Sequence, residues 1–360
     1  MAATVTTSTV VPFPVNYVLM KGLLSAARKK LPYFNGTLPG SLEQSGGSNS
    51  VKWERINNLA VVTTALGEVS GTAAAFLGRN AVQPTVSVVT AAIAKYGNWI
   101  IPSEEIDLFN VNTKAVKLID TLGANAGESL NTLAFNEYAN ATQIRYANNA
   151  VGGGTSISNV AYSMGVGDIK YAVNLLNGKA ARTFTPVGFG STNIGTQPIR
   201  SSYYGICHVD VEEDIRSLTG FIPVEQYAGY TETMPVEFGA AGGVRWASTH
   251  VSTVSTSAGK KTATGMRGAS NIQNDVYKSF VYGQEFIGTI GLGQMHASNA
   301  YEMYNPKNPP AIQIIYKGMT EGGAFNPFNE IGSLAWKSWF AIKTLNVTWG
   351  VMIESLASKL

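Results

Sequence analysis

The chain has 360 residues, with 26 Lys or Arg against 23 Asp or Glu and a formal net charge of +3. Charged residues make up only 14% of it, against about 25% in an average soluble domain, and Ser, Thr, Asn, Gly and Ala take their place. A 45% hydrophobic content excludes a disordered polyelectrolyte, and the absence of any dense basic stretch beyond Arg28-Lys29-Lys30 and Lys260-Lys261 excludes a basic face that reads nucleic acid.

In chain order, residues 1–15 are rich in Thr, Val and Ala with Pro12 and Pro14, too short and unpatterned to build a core, and read as an arm. Tyr17, Leu19, Met20, Leu23, Leu24 and Ala27 recur at helical spacing, and Pro32 stops the run, which predicts a helix over 16–31. Gly, Pro and Ser make 35–50 a loop, and Val51 to Ile56 alternates as a strand. Residues 61–101 read as a long hairpin: β-branched residues punctuated by Gly67, Gly71 and Gly78, with returning strands at 85–93 and 99–101. Between Val62 and Ala94 the only charges are Glu68 and Arg79. A two-stranded ribbon has no core of its own, so this one needs a cover, which a neighbouring subunit would supply.

From Asn112 to about Ala147, apolar residues every three or four positions (Val116, Ile119, Leu122, Ala126, Leu130, Leu133, Tyr138, Ala141) predict a helix about 45 Å or more in length. Gly152-Gly153-Gly154 breaks the chain before a shorter helix at 168–176, which Gly178 is placed to end. The texture beyond Arg182 is α+β: a strand at 203–209, a short helix at 211–218, strands at 276–282 and 312–316, then an aromatic stretch from Ala335 to Phe340 leading to a core strand at 347–353.

Chemistry is sparse. His208, His250 and His296 lie in unrelated contexts and none has metal-ligand spacing, so each reads as structural. Cys207 is the only cysteine, which excludes an intrachain disulfide. It also adjoins His208 on a strand, where neighbours point to opposite faces and cannot share a proton. Asp210, Glu212, Glu213 and Asp214 form the densest acidic run, read as the start of a helix, where negative charge complements the dipole. Trp336 and Trp339 stand among Leu334, Phe340 and Ile342 and read as core. No GxxxxGK[ST] loop occurs. No catalytic, cofactor-binding or metal-binding residue is therefore assigned. With a mean hydropathy of +0.04, a lone subunit this poor in charge would have poor colloidal solubility, whereas one surrounded by copies of itself keeps little surface in water. No positive residue precedes an apolar stretch in residues 1–15, and no run approaches the roughly 18 apolar residues of a membrane span, so a cytoplasmic protein with no membrane partner is expected.

Arm, short helix, charge-poor hairpin, long helix, α+β region and aromatic return follow one another in an order that resembles the Hong Kong 97-type fold of tailed-phage capsid proteins. Local motifs carry the likeness further: Val51-Lys52-Trp53-Glu54-Arg55, Tyr96-Gly97-Asn98-Trp99, Gly127 to Leu133 with Glu128, Ile206 to Asp210 with His208, Gly242-Gly243-Val244-Arg245, and Ala335-Trp336-Lys337-Ser338-Trp339-Phe340. Together these are similar to the podophage N-four-like family of major capsid proteins over residues 16–357. Two motifs depart from that family: His208-Val209-Asp210 stands where His-Pro-Asp is common, and Asn326-Pro327-Phe328-Asn329 where Asp-Pro-Leu-Asn is.

The resemblance implies an N-arm with helix and loop at 1–50, a hairpin E-loop and its base at 51–101, a peripheral (P) domain with a spine helix at 102–167, a mainly axial (A) domain with strands returning to the P domain at 168–325, and a C-terminal return at 326–360. It implies a non-enzymatic subunit of hexamers and pentamers in an icosahedral virion, assembled in a host cytoplasm around double-stranded DNA held without sequence specificity. Phe13 and Tyr17 on the arm, with Glu68, Phe76, Arg79, Val82, Val86 and Val88 on the E-loop, are the expected contacts between subunits. No lysine lies between Val62 and Ala94, so lysine cross-linking through the hairpin is not expected. Only about 50 residues precede the hairpin, which leaves little room for a fused scaffold; a separate scaffolding protein, a portal and a possible decoration protein are the expected partners. The rival readings are an encapsulin-type nanocompartment within the same fold and, from another class, a secreted β-rich hydrolase or adhesin.

Overall fold

The computed structural model describes residues 31–40, 49–56, 59, 61, 63, 83–104, 114–147, 154–184, 202–226, 234, 236–261, 265–268, 273–291, 312–317 and 327–359. Residues 16–30 of the helix predicted over 16–31, and Phe13, Tyr17, Glu68, Phe76, Arg79 and Val82, lie outside them.

In chain order the strands are β1 (Leu38–Pro39), β2 (Ser50–Ile56), β3 (Val86–Ala92) and β4 (Ala94–Ile100), followed by helix α1 (Lys114–Tyr138). Then come β5 (Gln143–Tyr146), α2 (Val166–Gly178), β6 (Tyr203–His208), α3 (Val209–Arg216), β7 (Ile222–Pro223), β8 (Glu237–Ala241) and β9 (Val244–Thr249). β10 (Tyr277–Tyr282), β11 (Ile287–Gly291), β12 (Ile312–Lys317), β13 (Ser333–Thr344) and β14 (Gly350–Ser355) complete the order. They form two sheets and a ribbon. A five-stranded sheet runs β1-β11-β13-β12 with β4 also paired to β13; a seven-stranded sheet runs β5-β14-β10-β6-β9-β8-β7; β2 and β3 form the ribbon.

Helix α1 lies on one face of the five-stranded sheet. Its Leu122, Ala126 and Leu130, at helical spacing, pack with Leu334, Trp336 and Phe340, the alternate positions of β13. Asn125 fixes the register from the helix side, its Oδ1 accepting from Trp336 Nε1 at 3.1 Å and from Asn98 Nδ2 at 3.2 Å. Gly97 is required where β4 crosses β13, because a Cβ there would stand 2.6 Å from the Trp336 carbonyl oxygen. One turn further along α1, Phe135 and Tyr138 join Tyr33, Phe280, Tyr282 and Phe286 in an aromatic core between the helix and the seven-stranded sheet, with edge-to-face contacts at 5.1–6.0 Å.

The other face of the seven-stranded sheet is covered by α2 and α3, where Ile169, Ala172, Leu176, Val211 and Ile215 bury against Trp246, Val281 and Ile353. Gly242 and Gly243 take φ of +63° and +86° in the β8–β9 turn, a left-handed pair that a side chain resists. The C-terminal strand β14 is buried at every position, between β10 and β5.

Three expectations are corrected. The long helix stops at Tyr138, a length of roughly 37 Å, because Ala139 and Asn140 turn the chain into β5, which pairs parallel to β14; apolar Ala141 and Ala147 are buried by this strand segment and imitate a continuing helical stripe. The ascending arm of the hairpin is Ser50–Ile56, paired with Val86–Ala92, and the stretch at 94–100 leaves the ribbon for the five-stranded sheet. Gly178 is the last residue of α2 and does not end it; the left-handed residue that does is Ala180, at φ +52°.

Candidate assembly surfaces

The ribbon carries the largest contrast between its two faces. On one, Val51 and Ala91 are buried with Ile93, Ile290 and Ala341, and Trp53 packs on this cluster, rooting the ribbon on the five-stranded sheet. On the other, Ile56 pairs with Val86 and Glu54 with Val88. Here Ile56 is 69% exposed, Val86 51% and Val88 52%, with Leu59 and Val61 exposed just beyond. Arg55 is exposed at the same end. Three β-branched side chains side by side on an open ribbon lose stabilisation of about 25 cal/mol for each Å² they leave in water.

The second surface is the sheet face turned away from α1. Trp336 is buried on the helix side, but Trp339 is on the other and is 38% exposed, which corrects its reading as core. Strand alternation separates two tryptophans three positions apart. Trp99 on β4 is 60% exposed, Lys95 stands 5.7 Å over the Trp339 ring, and Lys337 lies between these rows, opposite Gly97. Sequence reasoning missed Trp99; period-2 alternation from the partly buried Tyr96 and Ile100 was the signal.

Among the motif residues, Arg245 forms a buried bidentate pair with Glu237, Nε to Oε1 at 2.7 Å, and lies 5.6 Å over the Tyr204 ring. Glu128 meets His250 at 3.2 Å, and Asn131, one turn on, accepts from the Tyr33 amide and donates to Thr249 Oγ1. These contacts join α1 to the end of β9 and to the root of the N-terminal segment. His208 Nδ1 accepts from the Asp210 amide, capping α3, so the acidic run does serve a helix start, with Asp210 and Glu212 in the first turn. Burial lowers the His208 pKa despite the Asp210 carboxylate, and raises that of the Cys207 thiol, whose Sγ–H faces the Ala247 carbonyl at 3.7 Å. Buried and protonated, that thiol is no nucleophile. The groove between α1 and β13, about 300 Å³, is lined by Tyr96, Leu133, Asn136, Glu137, Phe340 and Ile342; Glu137 is occupied by Lys343 at 3.2 Å.

The chain is similar over nearly its whole length to solved phage shells. The capsid of Ralstonia phage GP4 matches with a TM-score of 0.64 at 11% identity over 92% of each chain. The cyanophage Pam1 capsid asymmetric unit matches with 0.54 at 10% identity, over 92% of this chain and 93% of that one, and the head structure of Helicobacter pylori bacteriophage KHP40 with 0.52 at 11%, over 91% and 90%. No protein-family model matches the sequence, and no curated protein does. At such identities the likeness is one of fold: the chain has the α+β fold of phage capsid proteins, the Hong Kong 97-type arrangement.

Proposed function

We propose that this chain is the major capsid protein of a tailed phage, a structural and non-enzymatic subunit that assembles as hexamers and pentamers into an icosahedral head around double-stranded DNA. The observation that carries the reading is the ribbon: rooted on one face, open and apolar on the other, it is a device for covering a neighbour, set on a capsid fold. Heterologous contacts of this kind close into rings, and many modest interfaces add up across a shell. Val86 and Val88 are the described residues best placed to cross the contact, with Phe13, Tyr17, Glu68, Phe76, Arg79 and Val82 completing the interface from the arm and hairpin tip. Within this function the motifs support an N-four-like podophage capsid, assembled in a host cytoplasm with a separate scaffolding protein and a portal, and with a decoration protein as a further candidate partner.

Expression of the chain with and without its neighbouring genes, followed by sedimentation and negative-stain electron microscopy, tests the proposal. Closed shells or capsomer rings are expected, with nucleic acid and portal in native particles. Shells holding a co-purifying enzyme would identify a nanocompartment instead, and a monodisperse monomer under all conditions would overturn the reading.

A further inference from the structure

His208 and His250 are 42 positions apart in sequence, yet parallel pairing of β6 with β9 puts His208 opposite Thr249 and brings the two histidines together. His250 acts electrostatically on the His208 ring, while its own ring reaches Glu128 on α1. On its other side His208 meets Asp210: Nδ1 accepts from the Asp210 amide at 3.1 Å and lies 3.4 Å from Oδ2. The same carboxylate holds Arg267 at 2.9 Å through Oδ1 and acts on Tyr277, whose ring lies 5.1 Å from the imidazole. Lys278, the next residue of β10, acts on Glu354.

Arg267 in turn clasps the end of the chain. Its amide donates to the Ala357 carbonyl at 2.9 Å and its Nε to the Ser358 carbonyl at 3.4 Å. Lys359 N donates to the Gly265 carbonyl at 2.7 Å, and Ser358 N to Asp214 Oδ2, from α3, at 3.0 Å. One carboxylate, Asp210, therefore stands between a titratable ring and the arginine that holds residues 357–359.

We propose that His208, Asp210 and Arg267 form an acid-sensitive latch on the C-terminal segment 357–359. In the closed state His208 is neutral, because an Nδ1 that accepts the Asp210 amide has no proton of its own. Protonation places a second N–H against that amide. The ring must then turn to Asp210 Oδ2, which removes the cap from α3 and makes an imidazolium share with Arg267, held on Oδ1, the charge of one carboxylate. The clasp and the start of α3, which carries Asp214, loosen together. Burial favours the neutral ring, so the contribution of the latch is complete above the ordinary histidine value of 6.5 and is lost as pH falls below it.

Hydrogen exchange of the full-length chain, read on C-terminal peptides at about pH 7.5 and about pH 5 and corrected for intrinsic rates, tests this. Protection over 357–359 is expected to fall about tenfold at the lower pH. His208→Asn keeps a capping acceptor but cannot titrate, so its tail protection should not change with pH, while His250→Gln should behave as the unmodified chain. An equal fall in His208→Asn, or none in the unmodified chain, overturns the latch. If His208→Asn fails to fold, the NMR titration of the His208 ring decides: its midpoint must coincide with that of tail opening, and a mismatch overturns the proposal.

Discussion

The seven-stranded sheet and the β2–β3 ribbon are built from similar residues to opposite ends. In the sheet, Val244, Trp246, Val281 and Ile353 meet neighbours on both faces, and even the charged Arg245 and Glu237 are buried with each other as partners. In the ribbon, Val86 and Val88 have the same β-branched shape and a strand partner of their own, yet half their surface remains in water. The difference is what surrounds the strand: two layers of helix and sheet in one case, and one anchored face in the other. The sheet is complete within a single chain, whereas the ribbon asks for another one.

Charging the ribbon breaks the comparison most directly. Val86→Asp with Val88→Asp should abolish shells and rings while leaving the circular dichroism of the subunit unchanged, since both positions are exposed; shells that persist by electron microscopy would remove the ribbon from the assembly. In the sheet the order reverses. Trp246→Ala empties a fully buried site and should cost about 3–5 kcal/mol, read as a fall in denaturation midpoint. Arg245→Ala removes the charge that pairs with the buried Glu237 carboxylate, which also accepts from the Met234 amide, at about 3 kcal/mol. The double replacement Arg245→Met with Glu237→Leu should restore most of that loss, because a buried pair roughly breaks even with apolar residues of its size.

Much of this was legible in the sequence because it rests on local pattern. The α1 stripe of Leu122, Ala126 and Leu130, the alternation of Val51 to Ile56, and a helix start within the acidic run follow from periodicity and charge placement alone, although α3 begins two residues before the predicted 211. What failed to show was pairing at a distance. Ala141 and Ala147 keep helical spacing but are buried by a strand that pairs with β14, some 200 residues on. Trp336 and Trp339 look alike in sequence until α1 covers one face of β13. His208 and His250 look unrelated until β6 lies beside β9.

Even the closed sheet holds one group that it does not satisfy. Glu354 on β14 is 4% exposed and its Oε2 has no partner among the described residues; burial raises its pKa above the usual carboxylate value, partly offset by Lys278. A carboxyl raised in the folded chain destabilises it while ionised, so the penalty is full above the folded value and is relieved as pH falls through it toward the ordinary 4.5. Glu354→Gln removes the charge at every pH. It should raise the thermal midpoint slightly at neutral pH, and the gain over the unmodified chain should shrink on acidification. The signs of the two titrations then separate: lowering the pH relieves strain at Glu354 while it undoes the His208 cap on α3. A pH series on Glu354→Gln and His208→Asn should therefore show slopes displaced in opposite directions from that of the unmodified chain, and parallel displacements would mean that burial at one of the two sites is incomplete in solution.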